Sequence, residues 1–156
     1  MTDRRDRPNS IPWPPILDVL TLLVAGALHK TVPLPLVAPD TLGPLIGWAL
    51  AAIGIGFGVA AIFRFRAVGT PVNPTGQAQA LSDGGVYGLT RNPMYFGTLV
   101  LFAGLALALG VTWLLVLLPL LAFGLLKLAI EREEAYLERR FGTDYLAYKA
   151  RVRRWI

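Results

Sequence analysis

Met94–Leu126 reads MYFGTLVLFAGLALALGVTWLLVLLPLLAFGLL, without one charged side chain. At about 1.5 Å per helical residue, roughly 33 residues exceed the ~20 that cross the hydrocarbon core of a bilayer. Gly110, near the middle, therefore marks a tight joint, and the run divides into helices over about Pro93 to Leu109 and Thr112 to Ile130. A second charge-free run, Thr41 to Phe63, is long enough for one crossing. Ile16 to about Leu36 is also apolar, though interrupted by His29, Lys30, Pro33 and Pro35. The expected fold is all-α: a multi-pass membrane protein with about four transmembrane helices, a cytoplasmic loop and C-terminal amphipathic interfacial helices.

Composition agrees, because a chain of 156 residues that is 54% hydrophobic, with a mean hydropathy of +0.54, is too apolar for a soluble domain of this size. There is no cysteine and one histidine, His29, which excludes disulfides, a cysteine nucleophile and any thiolate or multi-histidine metal site. The net charge of +5 points to anionic lipid headgroups rather than nucleic acid, since the basic residues crowd the flanks of the apolar runs. Arg4, Arg5 and Arg7 precede the first run, Arg64 and Arg66 follow the second, Arg91 precedes the third, and Lys127, Arg132, Arg139, Arg140, Lys149, Arg151, Arg153 and Arg154 follow the fourth. By the positive-inside rule, both termini and the central loop are cytoplasmic. The expected organisation is a single membrane domain, 1–156, with an N-terminal two-span hairpin (1–65) and a core (66–156). A bacterial inner membrane is favoured over the endoplasmic reticulum.

From Arg66 to Thr90 the chain carries Pro71, Pro74, Gly76, Gly84 and Gly85 and reads as loop. Beyond the fourth span, Leu137, Phe141, Tyr145, Tyr148, Val152 and Trp155 recur at helical spacing, with arginines and a lysine off the stripe. This pattern predicts an amphipathic interfacial helix, broken at Gly142 and restarted with Thr143 as N-cap. Extended backward, the stripe runs Ile130 and Leu126 through Glu133, while Glu134 aligns with Glu131 and Glu138 on a charged, solvated face. A carboxylate facing inward at a membrane edge is costly unless paired or functional, which singles out Glu133. Asn92-Pro93 suits a helix start, with Asn as N-cap and Pro at the first helical position. Asp18 reads as interfacial, and Trp48, Trp113 and Trp155 as belt or packing residues.

The loop-to-helix stretch Gly85-Val86-Tyr87-Gly88-Leu89-Thr90-Arg91-Asn92-Pro93-Met94-Tyr95, followed some forty residues later by Glu133-Glu134-Ala135-Tyr136-Leu137 and Phe141-Gly142-Thr143-Asp144-Tyr145, resembles the paired signature of the isoprenylcysteine carboxyl methyltransferase and phospholipid methyltransferase superfamily. The resemblance covers roughly residues 69 to 156. It implies S-adenosyl-L-methionine as cofactor and a lipophilic or lipidated acceptor: a prenylcysteine-like carboxylate, a lipid amine or a thiol. It further implies catalytic roles for Arg91, Asn92 and Glu133, and cofactor contacts from Gln79, Leu81, Tyr87, Asn92, Pro93, Met94, Tyr95 and Glu133. Most of the family carries Arg-His-Pro where this chain has Arg91-Asn92-Pro93, and an amide can hydrogen-bond but cannot titrate near neutral pH. Prenylcysteine methyltransferases place a substrate-binding arginine where this chain has Ala129, with Lys127 and Arg132 the nearest cations in sequence. Two other readings compete: an NADPH-dependent enzyme similar to sterol reductases, and a non-enzymatic four-span transporter or scaffold. A transporter should place an ionisable residue mid-span, and neither charge-free run has one.

Overall fold

The computed structural model describes residues 11–35, 42–69 and 77–156. The N-terminal arginines Arg4, Arg5 and Arg7, the expected span ends at Leu36 and Thr41, and the loop residues Pro71, Pro74 and Gly76 lie outside them. The described residues are helical, with no strand among them. Helix α1 covers Trp13–Thr31, α2 Leu42–Ala67, α3 Pro93–Leu109 and α4 Thr112–Leu125. A π-helical turn, Leu126–Ile130, carries α4 without a break into α5, Glu131–Phe141, and α6 covers Thr143–Arg151.

Two helices, Leu42–Ala67 and the continuous rod Thr112–Phe141, are long and apolar enough to cross a membrane, while Pro93–Leu109 is apolar but shorter. The surface matches that reading. Leu23 on α1, Leu45, Ile55 and Phe63 on α2, and Leu120 and Phe123 on α4 are exposed, whereas the buried positions are often small: Ala25, Ala51, Ala61, Ala106 and Ala129. Water would penalise such an apolar exterior, and lipid would not.

The most extensive helix pairing is α2 on α3, and its cause is a seam of residues without bulk. A Cβ added to Gly54 would lie 2.5 Å from the Gly97 carbonyl oxygen; one added to Gly97 would lie 2.6 Å from that of Gly54, and one at Gly104 would lie 2.6 Å from that of Gly47. The two backbones are thus in direct contact, as small-residue motifs allow between helices in lipid. The other pairings are α1 with α4 and α3 with α4. Leu17 of α1 packs over Gly124, and the Trp113 indole N–H donates to the Val32 carbonyl at 2.8 Å, tying the end of α1 to the start of α4. The helices of the expected N-terminal hairpin therefore find their main partners in the second half of the chain.

The joint at Gly110 forms where expected: Gly110 ends α3 in the left-handed region, φ 69°, which favours glycine. Other boundaries move. Helix α1 starts at Trp13, with Pro14 and Pro15 in its first turn, where missing N–H groups cost little, and it stops at Thr31 ahead of Pro33. Helix α2 runs on to Ala67, so Arg64 and Arg66 sit in its last turn. Gly142, φ 52°, occupies the N-cap position expected for Thr143, since only glycine takes this backbone turn without strain. Helix α6 ends at Arg151, with Val152 extended; the tail is held by other partners, described below. Among the tryptophans, Trp48 is exposed and Trp155 packs against the core.

Leucine at Gly54 or Gly104 should drive α2 and α3 apart and destabilise the protein by about 1–3 kcal/mol or more. Gly56→Leu, on the same helix but with open space around its Cβ, should cost far less. Thermal unfolding in detergent compares them; equal losses at Gly54 and Gly56 would show that the seam does not hold the pair.

Candidate functional site

A cavity of about 400 Å³ opens where α2 and α3 meet, walled by Gly54, Gly58 and Gly97 of the seam, by Pro14 and Asp18 of α1, and by residues of α5 and α6. Its volume falls within the range of small-molecule sites. The loop before α3 closes one side. Gly85–Gly88 forms a single 3-10 turn that buries Tyr87, whose ring stacks on Phe65 with centroids 5.1 Å apart and whose carbonyl accepts the Tyr148 hydroxyl at 2.7 Å. Ala78 is fixed from both sides, its N–H donating to the Tyr136 hydroxyl at 3.0 Å and its carbonyl accepting from Arg140 Nε.

Thr90, Arg91 and Asn92 are held by the C-terminal tail. The Arg91 N–H donates to the Arg153 carbonyl at 2.9 Å, while Thr90 Oγ1 (3.0 Å) and Asn92 Nδ2 (3.1 Å) both donate to the Arg154 carbonyl. Asn92 does occupy the N-cap position of α3, but its side chain makes no capping bond. The amide is committed to the tail instead, a correction to the capping expectation. Arg154 then reaches back, Nε and Nη2 at 3.0 and 2.7 Å from the two carboxylate oxygens of Glu134, whose Oε1 also lies 3.4 Å from Arg91 Nη2.

Glu134 is therefore buried and doubly paired, not solvated as its alignment with Glu131 and Glu138 implied. Both acids lie in the regular helix α5, where neighbours point about 100° apart: Glu133 meets the cavity, and Glu134 meets Arg91 and Arg154. Glu133 lines the cavity and accepts the Tyr95 hydroxyl at 2.9 Å through Oε2. On the loop side, burial pushes the Tyr87 phenol well above its ordinary range, with Glu133 adding to it, and burial pushes Tyr145 up to about 12. Both stay neutral.

Of the residues singled out from sequence, Leu81, Tyr87, Arg91, Asn92, Pro93, Met94, Tyr95 and Glu133 line this one cavity. Gln79 is exposed and not part of its wall. Sequence reasoning passed over Glu134, Tyr136, Tyr145, Tyr148 and Asp18, which all line it; only the helical period of the C-terminal tyrosines hinted at the group. Arg91 carries the most telling feature. Its side chain is only 9% exposed, yet Nε and Nη1 have no hydrogen-bond partner among the described residues. Buried guanidinium donors without acceptors suit a bound anion. Among the described residues, no group of three or more histidines, cysteines or acids is placed to hold a metal ion.

Among the described residues, helices with apolar outer faces around a cavity that carries polar groups are the architecture of a membrane-type protein, and comparison with known proteins gives the family. Residues 42–144 match the family described as phospholipid methyltransferase. The chain belongs to that family, which implies methyl transfer. A Haemophilus influenzae protein (strain ATCC 51907 / DSM 11121 / KW20 / Rd), described as uncharacterized, is 40% identical over 65 residues, covering 40% of this chain and all of the relative. No solved structure matches the chain.

Glu134→Gln should cost about 3–5 kcal/mol, because it leaves two guanidinium groups without their buried anion. Glu131→Gln, which breaks only the exposed pair with Lys127 (2.6 Å), should cost less than about 1 kcal/mol. Thermal unfolding measures both, and similar values would mean that the Arg91–Glu134–Arg154 network does not hold the tail.

Proposed function

We propose that the protein is an integral membrane methyltransferase that uses S-adenosyl-L-methionine to methylate a lipophilic acceptor. The observation that carries this reading is the content of the cavity: unpartnered Arg91 nitrogens and the Glu133 carboxylate inside otherwise largely apolar walls. Arg91 fits the cofactor's carboxylate, a charge-assisted and geometrically matched pairing. Glu133 fits its ammonium group, and the ring faces of Tyr87 and Tyr95 suit a sulfonium, a cation–π contribution of about 0.5–2 kcal/mol. When bound, the cofactor supplies an electrophilic methyl group. The residues of the chain then act by positioning donor and acceptor and by keeping water out. Asn92, turned to the tail, positions Arg91 rather than titrating, and Leu81, Pro93 and Met94 supply apolar wall.

In this reading all four long helices, α1 to α4, cross the bilayer, with both termini cytoplasmic, and 66–156 forms the cofactor-binding core of a single membrane domain. A 30-residue rod is about 45 Å long, longer than the ~30 Å hydrocarbon core, so Glu131–Phe141 extends into the headgroup layer where a soluble cofactor can reach the cavity. The acceptor enters sideways, between α1 and α2. Ala129 is fully buried, Lys127 is paired with Glu131, and among the described residues neither Lys127 nor Arg132 lines the cavity. Neither therefore stands in for the arginine of prenylcysteine enzymes, which disfavours a prenylcysteine carboxylate as acceptor.

Calorimetry should show S-adenosylhomocysteine binding to the purified protein and no binding of NADPH. Glu133→Gln should weaken that binding about ten- to a hundredfold, a lost charge-assisted bond, without lowering the unfolding temperature. Binding of NADPH alone would overturn the reading. A reporter fused after Ile156 should be active in the cytoplasm; activity confined to the external side would refute the topology.

A further inference from the structure

Two guanidinium groups converge on the buried carboxylate of Glu134, and they share it unequally. Arg154 takes both oxygens, with Nε at 3.0 Å and Nη2 at 2.7 Å, the strong bidentate form of such a pair. Arg91 makes one longer contact, Nη2 at 3.4 Å from Oε1, and its buried Nε and Nη1 have no hydrogen-bond partner among the described residues. The trio thus sets two positive charges against one negative. The surplus cation is Arg91, which lines the cavity, whereas Arg154 stands outside its wall. The tail also has anchors that do not involve the Arg154 side chain: its carbonyls accept from the Arg91 amide, Thr90 and Asn92, and Trp155 and Val152 each pack against an apolar cluster.

We infer that Arg154 is a positioning residue for the cofactor's carboxylate: by occupying Glu134 it keeps Arg91 free to bind that anion. The inference rests on reading the cavity as an S-adenosyl-L-methionine site. Without the Arg154 guanidinium, Glu134 is a buried anion with one cation beside it. An unpaired buried charge is costly, so the carboxylate draws that cation into close contact. Arg91 then closes on Glu134 as a neutral pair, and a cofactor carboxylate has to break the pair in order to bind. With Arg154 in place Glu134 is already satisfied, and the incoming anion meets a cation whose donors are unspent.

The effect is confined to one end of the ligand. Among the described residues Glu133, the partner proposed for the ammonium, is engaged by the Tyr95 hydroxyl and by neither arginine. Loss of the Arg154 side chain should therefore weaken ligands that carry a carboxylate and spare those that lack one. A side chain that served only to keep the tail in place would show no such selectivity, since loosening the loop and tail together would affect every ligand of the cavity.

The test uses the full chain in phosphatidylcholine nanodiscs and calorimetry with two ligands, S-adenosylhomocysteine and its decarboxylated counterpart, which keeps the ammonium and the thioether. The wild type should bind the first more tightly. Arg154→Gln should weaken S-adenosylhomocysteine about ten- to a hundredfold and leave the decarboxylated ligand within about twofold. Arg154→Lys, which keeps the charge but not the planar fork, should lose less. Removing the competing carboxylate as well, in the double variant Arg154→Gln with Glu134→Gln, should restore much of the S-adenosylhomocysteine affinity. Equal wild-type affinity for the two ligands, equal weakening of both by Arg154→Gln, no weakening of either, or no recovery in the folded double variant overturns the inference. Should Arg154→Gln not fold, Arg154→Lys carries the same comparison, and should the double variant not fold, the two ligands decide alone. Binding of S-adenosylhomocysteine by the wild type alongside any overturning result leaves the methyltransferase reading standing, whereas absence of that binding overturns both.

Discussion

The contact of α2 with α3 through bare backbone is the constraint on which the rest depends. With Gly54 and Gly97 opposed, the two helices approach more closely than side chains would permit, and in lipid such close packing takes over the role that hydrophobic burial plays in water. The same glycines are cavity wall. Beside the seam, the cavity is enclosed by α1, by the loop before α3 and by α5 and α6. The seam thus holds the two helices together and forms part of the cavity wall.

Helix α5 supplies the polarity of the site. Two consecutive side chains of a regular helix point about 100° apart, so both can be inward only where partners cover a broad face. Here the cavity takes Glu133, while Arg91 and Arg154 take and neutralise Glu134. The π turn at Leu126–Ile130 lies just ahead of them, and such turns often occur at functional sites.

Much of this was legible in the sequence, and the parts that were not share a cause. Charge-free length gave the α3–α4 pair and its joint at Gly110, because a left-handed turn between apolar helices has few alternatives to glycine. Motif positions from Leu81 to Tyr95 and Glu133 gathered around one cavity. Periodicity misplaced Glu134 because it sees only the helix's own apolar stripe, whereas the arginines that pair with this buried carboxylate, Arg91 and Arg154, come from other segments. Asp18 read as interfacial because nothing local says that α1 will pack on α4 and turn that residue toward a cavity some eighty residues away in sequence. The Asn92 amide was assigned to its own helix cap, whereas its partner, the Arg154 carbonyl, lies 62 residues on. Long-range partners are what a single sequence hides.

The C-terminal tail shows how one set of residues meets two demands. Arg91, Arg153 and Arg154 belong to the basic flanks from which a cytoplasmic orientation is read, and that reading depends on where arginine and lysine lie rather than on net charge. Pairing Arg91 and Arg154 with Glu134 therefore leaves the topology signal intact while it fixes the loop and tail to each other. The carbonyls of Arg153 and Arg154 complete the arrangement by accepting from the Arg91 amide, Thr90 and Asn92. Arg91 is thereby clamped through its main chain and through one end of its guanidinium, which leaves Nε and Nη1 without a hydrogen-bond partner among the described residues and placed at the cavity wall. A cation held this way loses little further entropy when it meets an anion, and that preorganisation favours binding.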